Sequence, residues 1–458
     1  MPRRYLAPSA MLPSGWADDV LIIVDDDGSI ASVASGMIDV TAERLNGPVV
    51  PGMPNLHSHA FQRAMAGLTQ RAGPEGDSFW AWRELMYRFL ARLTPDDVEA
   101  IATELYIEML QAGYTSVAEF HYLHHDTTGK PYSNAVEMAE RICAAADAAG
   151  IGLTLLPVFY AHGNFGGLAP TAGQRRFITD TEQFSRMLET LGSALAQRPM
   201  RRLGVAPHSL RAVAPGELRQ LLALRDRIDA AMPVHIHAAE QQKEVDDCIA
   251  SLRTRPVQWL LDHVGLNEQW CLVHATHMDE VETTGLADSG AVAGLCPTTE
   301  GDLGDGLFNA RPFLARDGRF GIGGDSHVSI DPFLELRLFE YGQRIRSEQR
   351  NVFGLAREES FGGRLYRAAC SGGAQALGQP IGAIAAGRRA DWIVLNASDV
   401  AIAPQRGDAL LDSAIFGPAK APVGDVMAGG KWRVRDRAHP RGAESAARYA
   451  GTVKRLLT

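Results

Sequence analysis

The chain has 458 residues, with 45 Lys and Arg against 54 Asp and Glu, so its formal net charge is −9 at pH 7. Proteins that bind nucleic acid normally carry a basic face, and this acidic balance argues against that class. Hydrophobic residues make up 46% of the chain and charged residues 22%, values typical of a globular protein with a large buried core. This composition excludes disorder as the dominant state.

The sequence contains no segment of the kind that anchors or secretes a protein. All apolar runs fall short of the roughly 20 residues that a membrane-spanning helix needs. The N-terminal segment 1–13 lacks the sustained apolar stretch of a signal peptide. The five cysteines lie far apart and form no C-x-x-C pair, which argues against a disulfide framework. We therefore expect a soluble, cytoplasmic protein that does not bind a membrane.

The first 49 residues have the pattern of a small β-sheet. One apolar, β-branched run covers 20–24, an aspartate-rich turn ending in glycine covers 25–28, and a second run covers 30–33. Aspartate and glycine between two apolar runs are a β-hairpin signal. We predict two antiparallel strands in this region.

Eight short apolar or β-branched runs follow, and helical stretches alternate with them. The predicted strands cover 49–56, 114–120, 151–160, 203–208, 233–237, 270–274, 291–296 and 320–324. The helical candidates include 95–112, 133–149 and 215–231, the first with Thr94 as its N-cap. Strands that alternate with helices favour a parallel sheet, and eight is the number that closes a (β/α)8 TIM-type barrel. We assign the barrel to residues 50–376.

The C-terminal part returns to β-type patterning, with runs at 392–395 and 426–432. Two β-rich termini that flank one barrel are best joined, so we predict that 1–49 plus 377–458 form a composite β-sandwich domain. The expected fold class is therefore α/β, with a barrel and a small β-sandwich built from both termini.

Four of the eight predicted strands end in residues that can bind or activate a metal ion, at the face where such barrels carry their catalytic groups. His57 and His59 are two residues apart on an extended segment and so point to the same side. His237 ends the fifth strand, His274 ends the sixth, and Asp325 follows the eighth. Each residue alone has an ordinary interpretation as a packed histidine or a turn aspartate. Together, three histidines and one aspartate suit Zn²⁺ with a water completing the site.

This pattern resembles the amidohydrolase superfamily, and the resemblance covers nearly the whole chain. It implies a barrel with a flanking β-sandwich, and His57, His59, His237 and Asp325 as the metal ligands. Superfamily members with two metal ions carry a bridging, carboxylated lysine after the fourth strand, but here 206–210 contain no lysine. The resemblance therefore implies one divalent ion per subunit, Zn²⁺ or Fe²⁺, since the ligand types do not separate these two metals.

Glu240 follows His237 by three residues and resembles the H-x-x-E motif of the deaminases in this superfamily. The implied reaction is hydrolytic loss of ammonia, in which the metal lowers the pKa of its bound water so that hydroxide forms near neutral pH. Asp325 takes the proton of that water, Glu240 carries a proton to the departing nitrogen, and His274 polarises the water. His277 is the competing histidine after the sixth strand, and we prefer His274 because it lies nearer the strand end.

Five longer stretches resemble one branch of these deaminases, whose substrate is an N-formimino dicarboxylate. They are PNLHSHAFQRAMAG at 54–67, FWAWR at 79–83, EFHYLH at 119–124, PHSLR at 207–211 and CPTTEGDLGD at 296–305. Two carboxylates need fixed cationic donors, and Arg suits planar, bidentate carboxylate recognition. We expect Arg83 and Arg211 to bind them, with neutral hydrogen bonds from Gln62 and Tyr122. His208 would touch the substrate or orient Arg211.

Two alternatives remain open. One is a related deaminase that acts on a heterocycle such as guanine, a triazine or an adenosyl compound, with no need for substrate carboxylates. The other is a non-enzymatic relative, which the retained metal ligands disfavour. The sequence does not assign roles to Glu300, Asp302 and Asp305, which follow the seventh strand. The resemblance implies a homodimer and a small-molecule dicarboxylate as the partner, with no nucleic acid and no membrane.

Overall fold

The computed structural model describes residues 2–68, 70, 79–196 and 198–458, with the side chains of 79–84 outside what it describes. The strands are β1 (Arg3–Leu12), β2 (Gly15–Val24), β3 (Ile30–Ala34), β4 (Glu43–Arg44), β5 (Val49–Pro51), β6 (Met53–Ser58), β7 (Tyr114–His121), β8 (Gly152–Phe159), β9 (Arg201–Leu203), β10 (Ala206–Pro207), β11 (Val234–Ala238), β12 (Trp270–His274), β13 (Val292–Leu295), β14 (Arg319–Ile322), β15 (Trp392–Leu395), β16 (Val423–Ala428) and β17 (Lys431–Val434).

The α-helices alternate with the strands of the middle region and then continue into the C-terminal part. They are α1 (Phe79–Leu90), α2 (Pro95–Ala112), α3 (Glu137–Ala149), α4 (Thr181–Leu195), α5 (Pro215–Asp229), α6 (Gln242–Leu252), α7 (Pro256–His263), α8 (Glu280–Ser289), α9 (Pro297–Leu303), α10 (Ala310–Leu314), α11 (Pro332–Ser347), α12 (Phe361–Leu377), α13 (Ala409–Phe416) and α14 (Gly442–Leu457).

Parallel strands from the middle of the chain form two curved sheets that meet at both edges. One sheet has the order β10-β8-β7-β6, with β9 also paired to β8, and the other has the order β11-β12-β13-β14. Single parallel bridges join Val205 to Val234 and Ser58 to Asp325. The strands therefore follow one another around a ring, which is the arrangement expected of a (β/α)8 barrel.

Local sequence signals explain where these elements begin and end. β7 and β8 are buried along their whole length, as expected for parallel strands covered on both faces. The helix α2 begins after Thr94, whose side chain accepts from the amide of Asp97 in a capping box. It ends at Gly113, whose φ of 105° is accessible to glycine at little cost. The predicted bounds of this helix are confirmed.

Both chain termini contribute to one further sheet, with the order β17-β16-β15-β5-β1-β2-β3 and β4 paired to β1. The predicted hairpin is present as the antiparallel pair β2–β3, and β1 pairs antiparallel with β2 as a strand that the sequence prediction missed. The sheet has its own apolar cluster, which includes Tyr5, Ile22, Trp392 and Met427. The joining of the termini is thus observed, whereas the two-layered sandwich and the domain bounds stay predictions.

The last helix, α14, has no counterpart in the sequence prediction. It packs on α2 of the barrel rather than extending the terminal sheet. Polar contacts hold it there, since Arg92 Nη1 donates to the carbonyl of Leu456 at 2.7 Å and the hydroxyl of Tyr449 donates to the carbonyl of Arg63 at 3.2 Å. The segment 377–458 is therefore part sheet and part helical cover of the barrel.

Two expectations drawn from composition can be compared with the structure. All five cysteines are buried, and none of them forms a disulfide bond in the structure. In the part of the chain that the structure describes, no helix combines the length and apolarity needed to cross a membrane.

Candidate metal centre and active site

Three histidine rings converge at the carboxyl ends of β6 and β11. Nε2 of His57 lies 3.1 Å from Nε2 of His59 and 3.1 Å from Nε2 of His237. All three rings are buried. The H-x-H pair shares one side because alternate residues of an extended segment point the same way. The structure thus brings together the three histidines that the sequence singled out.

The hydrogen bonds of His59 and His237 leave the Nε2 lone pairs of both rings facing His57. Nδ1 of His59 donates to the carbonyl of Phe120 at 3.0 Å, and Nδ1 of His237 donates to the carbonyl of His208 at 3.1 Å. Burial lowers the pKa of His57 to about 3 and lowers those of His59 and His237 as well, so the rings are neutral. A neutral imidazole that donates from Nδ1 carries a lone pair on Nε2.

A divalent cation bound between the three Nε2 atoms would account for their close approach. A proton on Nε2 of His57 would satisfy only one of its two short nitrogen–nitrogen contacts, whereas a central cation attracts all three lone pairs. Nitrogens that share one Zn²⁺ at about 2.0–2.1 Å lie roughly 3.0–3.4 Å apart, which matches the observed spacing. The residues present therefore fit a metal ion.

Asp325 joins the cluster from the segment after β14. Its Oδ1 lies 3.5 Å from Nε2 of His57 and 3.4 Å from Nε2 of His59. Burial alone would raise the pKa of Asp325, but its polar contacts with His57, His59 and His274 outweigh that effect and hold the pKa well below its usual value. Asp325 is therefore an ionised fourth donor, and the cluster has the three-His, one-Asp composition that the sequence predicts.

Two glycines allow the segment after β14 to approach β6. A Cβ at Gly323 would lie 2.8 Å from Cβ of His57, and one at Gly324 would lie 2.6 Å from Nδ1 of His327. The chain then adopts left-handed conformations, with φ of 48° at Asp325 and 59° at His327. Such strain in residues other than glycine is held by the surrounding structure and clusters at functional sites.

His274, at the end of β12, is surrounded by three carboxylates. Its Nε2 lies 3.7 Å from Oε1 of Glu240 and 3.8 Å from Oδ2 of Asp325, and its Nδ1 lies 3.3 Å from Oε1 of Glu300. Burial alone would lower the pKa of His274, but these carboxylates outweigh it and raise the pKa to about 10. His277, by contrast, donates from Nε2 to the carbonyl of Asp305 at 2.7 Å. The histidine that faces Asp325 is thus His274.

A cavity opens beside the histidine cluster, and Arg211 lines it together with Glu240. Nη2 of Arg211 lies 3.6 Å from Oε2 of Glu240, and its Nε lies 3.8 Å from Oε2 of Glu244. That Nε is buried and has no hydrogen-bond partner among the described residues. The side chain of Arg211 is 19% exposed, so its guanidinium can donate to an anion in the cavity. Arg211 is therefore placed to receive a carboxylate beside Glu240.

The other predicted substrate residues lie around the same cavity, apart from one that lies outside the described side chains. Gln62, Tyr122 and His208 line it, and Nε2 of Gln62 donates to the hydroxyl of Tyr122 at 2.8 Å. Arg83 belongs to α1, but its side chain is among those that the structure does not describe. Its assignment stays a prediction.

Glu244 is a site residue that sequence reasoning missed. Its carboxylate is buried and accepts from the amide of Ala239 at 3.2 Å and from the amide of Glu240 at 3.3 Å. Ala239 has a left-handed φ of 52°, so these bonds hold a strained turn that carries Glu240. The sequence did contain one signal for this role. Glu244 follows Glu240 by four residues and lies in the first turn of α6, where its carboxylate can accept from the preceding amides.

The three acidic residues after β13 divide between different environments. Glu300 accepts from the amide of Cys296 at 2.9 Å and faces His274. Asp305 accepts from the side chain of Gln241, and Asp302 accepts from that of Gln70. Glu300 thus faces the catalytic cluster, while the side-chain bonds of Asp302 and Asp305 join α9 and the residues after it to Gln70 and Gln241.

Comparison with known proteins places this geometry in a family. A model described as the amidohydrolase family matches residues 49–433. Formimidoylglutamate deiminase of Pseudomonas aeruginosa is 52% identical over 451 residues, which is 98% of this chain and 99% of that protein.

Solved structures share the architecture. The crystal structure of an amidohydrolase from Brucella melitensis has a TM-score of 0.95 and 49% identity, and the match covers 100% of both chains. The crystal structure of an adenosine deaminase from Xanthomonas campestris with bound zinc has a TM-score of 0.82 over 99% of this chain and 98% of that one. At 22% identity, the second match concerns the fold alone.

Proposed function

This chain belongs to the amidohydrolase family, and we propose that it hydrolyses N-formimino-L-glutamate to N-formyl-L-glutamate and ammonia. In this reaction, water adds to the formimino carbon and the terminal nitrogen leaves as ammonia. The observation that carries the proposal is the part-buried guanidinium of Arg211, held beside Glu240 in the cavity of the metal centre. The 52% identity to formimidoylglutamate deiminase over nearly the whole chain supports the same substrate.

The metal that we propose is Zn²⁺, with Fe²⁺ as the alternative, held by His57, His59, His237 and Asp325. The support for Zn²⁺ is the ligand set of three histidines and one aspartate, with Nε2 of His57 lying 3.1 Å from Nε2 of both His59 and His237. When bound, such an ion supplies Lewis acidity that brings the pKa of a coordinated water towards neutrality.

Proton transfer falls to residues of the chain itself. Asp325 is ionised and faces both the histidines and His274, so it accepts the proton of the attacking water. Glu240 lies between His274 and Arg211 and delivers a proton to the departing nitrogen. His274 is charged in the field of three carboxylates and hydrogen-bonds to the oxygen that adds to the substrate.

The substrate carboxylates bind on the side of Glu240 that faces Arg211, away from His274. Arg211 receives one of them in a bidentate manner, because its planar fork matches carboxylate geometry. Gln62 and Tyr122, which line the same cavity, donate neutral hydrogen bonds to the substrate. We assign the second carboxylate to Arg83 on the strength of the sequence resemblance.

Ammonia release by the purified, zinc-loaded protein tests this proposal. We expect release from N-formimino-L-glutamate, none from guanine or adenosine, and loss of the activity on chelation of the metal. Release from a heterocycle and not from the formimino compound would retain the metal centre but remove the carboxylate-binding role of Arg211. Activity that survives complete chelation would overturn the metal assignment.

A further inference from the structure

A buried carboxylate lies behind the H-x-H segment, on the side away from the metal-binding rings. Glu119 is 1% exposed on β7. Its Oε2 accepts from the hydroxyl of Ser58 at 2.5 Å and from the hydroxyl of Tyr106 at 3.0 Å, and its Oε1 accepts from the amide of Ala60 at 2.7 Å. Three donors thus converge on a side chain that the proposed reaction does not use.

The location of Ser58 connects this carboxylate to the metal centre. Ser58 stands between His57 and His59, and alternation along an extended segment turns its side chain away from theirs. Glu119 holds both Ser58 and Ala60, so it fixes the backbone on each side of His59. A shift of this segment would move the two ring nitrogens of the H-x-H pair together.

The same chain of hydrogen bonds reaches the segment that carries Asp325. Nε2 of His327 lies 2.9 Å from the hydroxyl oxygen of Ser58. Because Ser58 gives its proton to Glu119, its oxygen accepts from His327, whose Nδ1 has no partner among the described residues. The bonds therefore run in one direction, from His327 through Ser58 to Glu119. They join β7, which carries Glu119, to the end of β6 and to the turn after β14. These last two segments supply three of the four metal ligands, His57, His59 and Asp325.

The charge of Glu119 has no cationic partner nearby. Among the described residues, no Lys or Arg forms an ion pair with it, and three hydrogen bonds from neutral groups are its whole compensation. Burying an ionised carboxylate without an opposite charge is costly. The three donors to Glu119 therefore supply all of that compensation, and two of them, Ser58 and Ala60, belong to the metal-binding segment.

We propose that Glu119 is a positioning residue for the metal centre, which fixes the H-x-H segment through Ser58 and Ala60. The inference rests on the proposed metal site. Glu119 does not touch substrate or metal, and it acts by setting the geometry and the affinity of His57 and His59. Carboxylates behind metal ligands typically contribute about 10- to 100-fold in metal affinity.

The test is the zinc affinity of Glu119→Gln, measured on metal-free, full-length protein by competition with a chromophoric chelator. We expect the Kd for Zn²⁺ to rise about 10- to 100-fold. The thermal midpoint of the metal-free variant should match that of the metal-free wild type, because a purely structural role would lower that midpoint and leave the affinity unchanged. A Kd within about twofold of wild type overturns the inference.

Two further variants keep the test decisive. Tyr106→Phe removes a single donor to Glu119 and should raise the Kd by a smaller factor, about two- to tenfold. Glu104→Gln is the matched control, since Glu104 lies on α2 close to Tyr106 and makes no hydrogen bond to residues 57–60 in the described structure. It should leave the Kd unchanged, and an equal rise in this control contradicts a specific role for Glu119.

Ser58→Ala covers the case in which Glu119→Gln does not fold, because it breaks the chain of hydrogen bonds and retains the bond from Ala60. We expect at least a tenfold rise in Kd, and an unchanged value contradicts the inference. Wild-type protein in the same assay separates the two proposals. If it binds no zinc, the metal assignment fails, whereas wild-type binding with an unaffected Glu119→Gln rejects only the role of Glu119.

Discussion

Nδ1 of His274 lies 3.3 Å from Oε1 of Glu300, and this contact decides which ring nitrogen of His274 faces the cavity. Nε2 is left to face Glu240 and Asp325. Glu300 is itself fixed by the amide of Cys296 at 2.9 Å. A carboxylate that orients an imidazole in this way sets the tautomer and the charge of the ring.

The first prediction concerns this pair. Glu300→Gln retains an oxygen for the amide of Cys296 but removes the negative charge beside His274. We expect kcat for N-formimino-L-glutamate to fall about 10- to 100-fold, the range for removing a carboxylate behind an active-site imidazole. KM and zinc content should stay close to wild type. Steady-state kinetics with metal analysis checks this, and an unchanged kcat would show that Glu300 is only a capping residue of α9.

The second prediction concerns proton delivery by Glu240. Glu240→Gln retains the size of the side chain but cannot cycle between the carboxyl and carboxylate forms. We expect kcat to fall about 10²- to 10⁴-fold, as for the loss of a general acid–base group, with zinc content unchanged. Asp246→Asn, an exposed change on α6, is the control and should have no effect. Near-normal turnover by Glu240→Gln would assign proton delivery to another residue.

The third prediction concerns recognition of the substrate carboxylate. Arg211→Met removes the part-buried guanidinium and retains a long apolar side chain. We expect KM to rise about 10- to 100-fold, equivalent to the loss of hydrogen bonds to a charged group. The kcat at saturation and the thermal midpoint should change much less. Arg211→Lys preserves the charge without the planar guanidinium, so its KM should lie between those of the wild type and Arg211→Met. An unchanged KM in Arg211→Met would remove this residue from the substrate site.

The barrel could be predicted from the sequence because its strands are buried on both faces. β12 occupies the predicted residues, and β7 exceeds its prediction by one residue. Such strands form continuous apolar runs bounded by polar residues, and their carboxyl ends then locate the ligands. The terminal hairpin was equally visible, owing to its turn residues. The helix α14 was not, because its polar sequence follows a β-rich stretch and its packing partner lies far away in the chain.

The metal ligands were predictable from spacing, but the residues that support them were not. His57 and His59 form a local pattern, whereas the bond between Ser58 and Glu119 depends on the register of β6 against β7. Glu244 and Glu300 likewise gain their roles from turns whose conformation the sequence does not reveal. A homodimer and a cytoplasmic location stay predictions.

The last prediction concerns Glu335, a carboxylate of α11 that lies outside the catalytic cluster. Glu335 is fully buried and accepts from the amide of Thr298 at 2.9 Å and from its hydroxyl at 2.6 Å. Burial raises the pKa of Glu335 to about 8, since the two bonds from Thr298 only partly oppose it. An unfolded glutamate titrates near 4.3. Between these values the native state binds more protons than the unfolded state, so this group makes stability fall as pH rises.

Glu335→Gln removes that dependence and retains an oxygen to accept from Thr298. Relative to wild type, we expect the variant to be more stable at pH 8.5 than at pH 5.5, with the gain appearing as pH passes from about 4.3 towards about 8. Urea unfolding midpoints of both metal-free proteins at the two pH values measure this difference. Glu280→Gln, an exposed change on α8, is the control. Its urea midpoint should differ from that of the wild type by the same amount at both pH values. If Glu335→Gln also shows one constant offset, the carboxyl is ionised throughout this range, and its bonds to Thr298 are strong enough to offset burial.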